Sequence, residues 1–501
     1  MKDFDWYKKH ILGSPYLSWY MFLLSAVCLM IYSNPIYITD SYEYAIMGSC
    51  WIDADFVSMN CAETNAFFRQ PFPSFLVAIS YLFLDPFVAI AFWSWFSSVC
   101  FLWLIWYVAT KNISKNLGLW MWFAFASSPF LFRLHAFADA RIIVLPFILW
   151  SVHSLSLRNA SDRMVFWGAV TCVLAFLTRV ECLFLFPVYL YVQIVLQKGT
   201  WQKTALLFGA TLLLWCFGIW QQAGIFSISP RYWEGFLLNS TQDMSLQWSL
   251  DLFGMGVWSP PMRNIAMTYS PIPMSLDAIS LQDWMQWLNI SVIDYFPIAV
   301  WIFCGVVFLY QAWKQEIPKV IWVFISFTLP SFVITLLPQA RDFVFPQSNT
   351  FPIWMCFLFG MIWCLYVVSQ KISSSGRVFF MLGSIVLLHI CSNHIHFESN
   401  IEFLDSSQAA TNWLHLHTEE DAIVLSSYEI APIVFRSNRR WQQWPSPFEW
   451  DMRLDTTKNT YALVSNMDAH AYYPLAFSQW KEPSFFVADA SYEFLIIQLT
   501  P

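Results

Sequence analysis

The sequence predicts an α-helical polytopic membrane protein with about eleven transmembrane helices and a small C-terminal extracytoplasmic α/β domain. Hydrophobic side chains make up 58% of the 501 residues and charged side chains 12%, whereas a soluble domain is about one quarter charged. Long apolar runs recur from residue 16 to residue 394, after which the chain becomes polar. These observations divide the chain into a membrane domain, 1–394, and a C-terminal domain, 395–501.

The apolar runs have about the length that a helix needs to cross a bilayer core, roughly 20 residues. The first run has no small-residue cleavage pattern after it, so we interpret it as a retained helix and not as a signal peptide. We expect spans at about 16–34, 87–109, 117–134, 137–157, 164–178, 182–196, 204–226, 293–313, 320–338, 350–369 and 377–394.

The orientation is predicted from the lysines and arginines, which occupy alternate connections between the spans. Because positively charged loops stay in the cytoplasm, the N-terminus is expected inside and the C-terminal domain outside. The long loops 35–71 and 227–292 then face outward. The apolar stretch 72–84 has about half the length of a span, so we interpret it as a juxtamembrane or re-entrant helix.

Charge and cysteine content exclude or leave open several further functions. The net charge is -7 and there is no basic patch or stripe, which argues against nucleic acid as a partner. Nine of the 11 cysteines lie in apolar runs, where cysteine is usually a small buried hydrophobe. Cys50 and Cys61 instead share one polar outer loop, and the sequence is compatible both with a disulfide between them and with two free thiols. The cysteines have no zinc-binding spacing.

The C-terminal domain is predicted to be a folded α/β unit. Residues 406–416 have the pattern of an amphipathic helix, and 422–425, 461–464 and 494–499 have the pattern of strands. A loosely structured tail is the alternative, but the many Trp and Phe residues argue against it.

Acidic residues open the first outer loop. Asp40 and Glu43 follow the first span directly and are three residues apart. On a helical turn both would face one way, where they could share a proton, a cation or a substrate hydroxyl. The alternative is structural, because an aspartate at Asp40 could simply cap a short interfacial helix.

Arginines recur in the outer segments, where positive charge is normally depleted. Arg69 precedes two prolines, and a snorkelling side chain is the structural alternative there. His135, Asp139 and Arg141 lie in one short outer turn, and an Asp139–Arg141 pair could be purely structural. Two further outer connections contain Arg179 with Glu181, and Arg341. An anionic lipid head group would explain this accumulation.

Taken together and in this order, these segments resemble the GT-C superfamily of membrane glycosyltransferases, which includes the protein O-mannosyltransferases and the lipid A aminoarabinose transferase. The matching segments are Asp40-Ser41 with Tyr44 and Ala45, Arg69 to Phe75, Phe137 to Ala140, Leu177 to Glu181, and Arg341 to Pro346. The sequence departs from the family pattern in three ways. Gln70 replaces a usual proline, Cys182 a usual glycine, and the first motif has Asp40 and Glu43 where the family has adjacent acids.

The resemblance implies a transferase that uses a sugar linked to a polyprenyl phosphate, with an apolar cleft for the polyprenyl chain. Asp40 would be the general base and Asp139 would orient the acceptor or share that role, with Glu43 as the third catalytic candidate. Arg69, Arg179 and Arg341 would bind the donor phosphate. The further site candidates are Tyr44, His135, Arg141 and Glu181.

The implied partners are a polyprenyl-phosphate sugar donor, an acceptor that is a lipid, a glycan or a protein, and membrane lipids. The expected location is a bacterial inner (plasma) membrane. No cofactor is required, and a divalent cation on Asp40, Glu43 and Asp139 is conceivable but not predicted.

Two other functions compete with this interpretation. A secondary transporter would usually place its ionisable groups near the bilayer midplane, whereas here they lie at one surface. A binding or sensing protein would need the membrane domain only as an anchor, and eleven spans are excessive for that purpose.

Overall fold

The structure is a computed structural model of the whole chain. It describes residues 16–30, 39–52, 70–129, 131, 135, 138, 140–223, 298–327, 351–391, 405–426, 431–443, 459–465, 485–488 and 493–498. Asp40, Glu43 and Glu181 fall within these ranges, but for these three site candidates the structure describes the backbone and not the side chain. The predicted site residues Arg69, Asp139 and Arg341 and the loop 227–292 lie outside the described residues.

The membrane domain is helical throughout its described part, as the apolar runs predict. A short 3₁₀ helix, Val180–Phe184, joins two of its α-helices. The α-helices are α1 Leu17–Met30, α2 Thr39–Cys50, α3 Pro71–Tyr81, α4 Pro86–Asn112, α5 Lys115–Ala126, α6 Ala140–Ile143, α7 Leu145–Ser156, α8 Asp162–Thr178, α9 Leu185–Val195, α10 Trp201–Ala223, α11 Ile298–Trp313, α12 Phe351–Ser369 and α13 Ser374–Cys391.

One helix in the described ranges, α4, is long and apolar enough by itself to cross a membrane. The structure also describes shorter apolar helical segments of 10–17 residues, which lie within α1, α3, α11, α12 and α13, along α6 and α7, and along the 3₁₀ helix and α9. The number of spans therefore stays a prediction. The short apolar stretch at 72–84 forms α3, which has 11 residues and agrees with the prediction of a half-length helix.

Local sequence explains where several of these helices begin. Asp85, Ser114 and Ser161 stand directly before α4, α5 and α8, and each side chain accepts a hydrogen bond from a backbone N–H of the first turn. Such caps satisfy donors that have no partner within the helix. Proline occupies the first turn of α3 and of α4, where its missing N–H costs nothing.

The core of the membrane domain also contains buried polar side chains that join its helices. The Ser154 hydroxyl lies 2.9 Å from that of Tyr189, which donates to the Val165 carbonyl at 2.6 Å. A Cβ added to Gly168 would lie 1.9 Å from the Ser154 Oγ, so only glycine fits there. These contacts fix α7, α8 and α9 against one another.

The C-terminal domain is a five-stranded mixed sheet with two helices, α14 Asp405–His417 and α15 Ala431–Arg436. The strand order is β2-β1-β3-β5-β4, in which β1 pairs in parallel with β2 and β3, and β5 pairs antiparallel with β3 and β4. The predicted helix and three predicted strands are confirmed, and the sequence missed α15, β2 and β4. The strands are β1 Ile423–Ser426, β2 Arg440–Gln443, β3 Thr460–Ser465, β4 Phe485–Ala488 and β5 Glu493–Gln498.

A tyrosine of α2 connects the two domains. Tyr42 is 1% exposed and belongs to the hydrophobic core of the C-terminal domain, with Leu414, Val434 and Phe494. Its hydroxyl accepts a hydrogen bond from Nε of Arg436 at the end of α15. Helix α2 is therefore packed into the C-terminal domain.

Cysteine pairing agrees in part with the sequence. Cys50, the last residue of α2, is disulfide-bonded. Its partner lies outside the described side chains, so the pairing with Cys61 stays a prediction. Eight other cysteines with described side chains form no disulfide, and all of them lie on helices of the membrane domain or on the short 3₁₀ helix.

Candidate active site

The acidic motif of the predicted first outer loop lies on a helix, the case in which its two acids would face one way. Positions 40 and 43 belong to α2 and are separated by less than one helical turn. Tyr44 is buried in the core of the membrane domain at 4% exposure. One side of α2 thus packs on the membrane domain, while Tyr42 reaches the C-terminal domain. The backbone that carries the two acids is held on both sides.

The helix that follows Arg69 packs tightly on α2. A Cβ added to Gly48 would lie 2.6 Å from the Val77 Cβ and 2.7 Å from the Ser74 carbonyl oxygen. The indole of Trp93, on α4, donates to the Leu76 carbonyl at 3.0 Å and contacts the Ser80 hydroxyl at 2.7 Å. Helix α3 is therefore fixed between α2 and α4.

The residue that departs from the family pattern, Gln70, is the N-cap of α3. Its backbone is extended, and its side chain is 7% exposed and makes no capping hydrogen bond. One turn further on, Ser74 is fully buried. In the part of the chain that the structure describes, neither the Gln70 Oε1 nor the Ser74 Oγ has a hydrogen-bond partner. Both atoms are available to a polar group at the start of this helix, next to Arg69.

The segment that contains His135 contacts the middle of α4. His135 is 5% exposed, and its Nδ1 lies 2.8 Å from the Ser98 Oγ. Ala138, which precedes Asp139 in the sequence, is buried, and the short helix α6 that follows packs on α4. Arg141 is half-buried on α6. The structure thus gives His135 a partner in the helix bundle and keeps Arg141 close to the same segment.

Arg179 lies at a break between two helices. Its backbone is extended, with φ -146° and ψ 126°, and it separates α8 from the 3₁₀ helix that contains Glu181. Its N–H donates to the Ala175 carbonyl at 2.8 Å, and its carbonyl accepts from the Cys182 N–H at 3.0 Å. These two bonds hold the half-buried Arg179 at the end of α8.

Four of the five motif segments lie on or directly beside neighbouring elements. Helix α3 contacts α2, α4 and α8, and α4 also contacts α2 and α6. Arg69 immediately precedes the α3 N-cap, and Asp139 immediately precedes α6. The fifth segment, with Arg341, lies outside the described residues. The fold therefore joins, through α3 and α4, elements that are far apart in sequence, from α2 to α8.

The described side chains contain no group of three or more His, Cys, Asp and Glu residues that could hold a metal. Asp40, Glu43 and Asp139 are not among those side chains.

Sequence reasoning missed three features of this site: Gly48, Tyr42 and the pair Gln70–Ser74. The glycine in the first motif segment could have indicated a close helix contact. The contact of Tyr42 with Arg436 joins residues 394 positions apart, and no local pattern indicates it.

Comparison with known proteins gives structural neighbours only. The sequence matches no protein-family model and no curated protein. ArnT from Cupriavidus metallidurans in the apo state matches with a TM-score of 0.52 at 10% identity, over 97% of this chain and 98% of that one. The oligosaccharyltransferase from Archaeoglobus fulgidus, tethered with an acceptor peptide containing the NVT sequon, matches with a TM-score of 0.52 at 12% identity, over 96% and 74%.

The same archaeal enzyme in complex with Zn and sulfate matches with a TM-score of 0.51 at 14% identity, over 85% of this chain. The chain spans 62% of the length of that enzyme. Both neighbours are GT-C superfamily glycosyltransferases, so the predicted GT-C fold is confirmed. The match to ArnT extends over both domains of this chain.

Proposed function

We propose that this protein is a membrane glycosyltransferase that moves a sugar from a polyprenyl-phosphate donor to an extracytoplasmic acceptor. The observation that carries the proposal is the packing of α3, which follows Arg69 in the sequence, on the acid-bearing helix α2 and on α8, which precedes Arg179, within a GT-C fold. Acids and arginines at one site suit a reaction in which an acceptor loses a proton and a phosphate departs.

In the proposed reaction, the Asp40 carboxylate takes the proton from an acceptor hydroxyl or amine. The freed electron pair forms a bond to the anomeric carbon, and the bond from that carbon to the phosphate oxygen breaks. The leaving polyprenyl phosphate keeps that electron pair. Arg69, Arg179 and Arg341 neutralise its charge, because guanidinium groups form forked, charge-assisted hydrogen bonds to phosphate. Asp139 orients the acceptor, and Glu43 lies within one turn of the base.

The test is a reconstituted assay with a labelled polyprenyl-phosphate sugar. We expect Asp40→Asn to abolish transfer while the protein stays folded and inserted, because the amide cannot accept the proton at neutral pH. Asp85→Asn is the matched control, since asparagine caps a helix as well as aspartate and the Asp85 carboxylate serves the N-terminus of α4. Full activity of Asp40→Asn would remove Asp40 as the base.

The same vesicles test the competing function. Movement of a small anionic or polar solute across the membrane without sugar transfer would identify a secondary transporter. Charge loss in Arg341→Ala should weaken the use of the donor more than that of the acceptor, so an unchanged apparent donor affinity would argue against its phosphate role.

We also propose that the reaction needs no cofactor and no metal ion. The expected result is retained transfer after treatment with a chelator. Loss of activity that returns on adding a divalent cation would instead assign that cation to Asp40, Glu43 and Asp139.

The proposed location is a bacterial inner membrane, with the N-terminus in the cytoplasm and the C-terminal domain outside. The clustering of basic loops at one end of the bundle supports this orientation. Lys198 donates hydrogen bonds to the carbonyls of Leu157 and Arg158, the latter at 2.7 Å. Its pKa is lowered by burial and then by the charge of Lys319, a residue of another basic connection. Cysteines introduced at Arg158 and Asn412 should react with an impermeant reagent from opposite sides.

The loop 227–292 and the C-terminal domain are proposed to select the acceptor, because specificity is usually built from variable segments on a fixed scaffold. Exchanging these segments between related enzymes without a change of acceptor would contradict this role.

A further inference from the structure

A cavity of about 420 Å³ lies at the basic end of the helix bundle. It is lined by the start of α8, the end of α9 and the start of α10. The lining residues are Asp162, Arg163, Phe166, Gln193, Thr200, Lys203 and Thr204. Asp162 and Arg179 mark opposite ends of α8, which has 17 residues, so about 25 Å of helix separates this cavity from the candidate active site.

Cationic groups from two helices meet at this cavity. Arg163 and Lys203 both line it, and both stand in the first turn of a long helix. Helix N-termini carry partial positive charge and favour anions. The hydroxyls of Thr200 and Thr204 add two hydrogen-bond donors. This combination suits a phosphate group.

A buried amide shows that the cavity is more than a basic surface. Gln193 is 1% exposed and lines the cavity, and its Oε1 has no hydrogen-bond partner among the described residues. A buried acceptor without a partner costs about 1–3 kcal/mol, which a donor from a ligand would offset. Asp162 supplies a second acceptor in the same cavity. The ligand should therefore combine a phosphate with an ammonium or hydroxyl group.

An apolar side chain also contributes to the lining. Phe166 is 38% exposed and lines the cavity. A fully soluble phosphate compound has no apolar part to pack on this side chain, whereas the glycerol and acyl carbons of a phospholipid can pack on it.

We propose that this cavity binds the phosphodiester head group of a cytoplasmic-leaflet phospholipid whose head group carries an ammonium, such as phosphatidylethanolamine. The phosphate lies between Arg163 and Lys203, and the ammonium reaches Asp162 and Gln193. This proposal rests on the proposed membrane orientation and is independent of sugar transfer.

The test measures lipid retention by the purified full-length protein in mass spectrometry under native conditions. Protein in micelles is mixed with equal amounts of phosphatidylethanolamine, phosphatidylglycerol and phosphatidylcholine, the last of which has no donor on its head group. We expect preferential retention of phosphatidylethanolamine. Gln193→Leu and Lys203→Met should each reduce it at least about tenfold, because each removes a hydrogen bond to a charged group. Lys203→Arg should restore it.

Arg158→Met is the matched control, because Arg158 is an exposed cation of the same cytoplasmic end whose side chain does not line the cavity. Its retention of phosphatidylethanolamine should equal that of the unaltered protein. Equal retention of all three lipids, or an equal loss in Arg158→Met, would overturn the proposal. Displacement of the lipid by free phosphoethanolamine at a similar concentration would show a soluble ligand and would also overturn it. Sugar transfer measured on the same samples shows separately whether the proposed function holds.

Discussion

Replacing Gly48 by alanine tests whether the contact between α2 and α3 positions the acidic motif. The added Cβ would lie 2.6 Å from the Val77 Cβ and 2.7 Å from the Ser74 carbonyl oxygen. Carbon atoms in contact are ordinarily about 3.5–4.0 Å apart. The two helices must therefore separate by about 1 Å, since the carbonyl is backbone and cannot turn aside.

Two opposing effects determine the stability of this variant. Alanine in place of glycine inside a helix stabilises it by about 1 kcal/mol, while overpacking a tight contact costs about 1–3 kcal/mol. Gly209→Ala is the matched control, because an added Cβ on that residue of α10 meets nothing within 4 Å. The helix propensity gain is the same in both variants, so the difference between them isolates the steric cost of about 1–3 kcal/mol.

The assay is thermal unfolding in micelles together with the sugar-transfer rate. Gly48→Ala should unfold at a lower temperature than the unaltered protein, and Gly209→Ala at the same or a higher one. A displacement of about 1 Å can lower the rate about 100-fold, so transfer should fall in Gly48→Ala alone. If the two variants have equal stability and equal activity, the reasoning about the α2–α3 contact is refuted.

Two further outcomes are expected. Tyr42→Phe removes the acceptor for the Arg436 Nε and should weaken docking of the C-terminal domain by about 1.5–3 kcal/mol. The measurement is the rate of protease cleavage between the domains, which should rise; an unchanged rate would contradict this role. Asp85→Ala removes the cap of α4, where the carboxylate accepts from the Phe87 N–H at 2.9 Å. The free energy of unfolding should fall by about 0.5–2 kcal/mol, which lowers the unfolding temperature. Asp85→Asn should show no such decrease.

The elements that the sequence predicts well are those whose signals are local. The predicted runs 164–178 and 182–196 agree with α8 and α9 to within three residues. The proline-rich start and the length of 72–84 predict α3. The predicted run 117–134 is interrupted, because α5 ends at Ala126, where the Ser127 hydroxyl donates to the Phe123 carbonyl at 2.7 Å. Hydropathy alone does not detect such a hydrogen bond.

The missed elements depend on distant partners. Strand β2 has four polar or aromatic residues without a clear alternation, and it forms by pairing with β1. The candidate acids and arginines were predicted from the family resemblance. The structure adds that α3 contacts α2, α4 and α8. The buried amide oxygens of Gln70 and Gln193, which have no hydrogen-bond partner among the described residues, could not be predicted, because a glutamine in a sequence carries no sign of its burial.

The insertion of Tyr42 into the C-terminal core defines which pieces of this protein can be inherited or exchanged together. Tyr42 completes a hydrophobic core whose other buried residues all belong to the C-terminal domain, so a change in that domain's core requires a matching change in the acid-bearing helix. A chimera that exchanges only residues 395–501 would mismatch the surface that receives the tyrosine ring. A chimera that takes α2 along with those residues would keep the core intact and bring its own acidic motif with it.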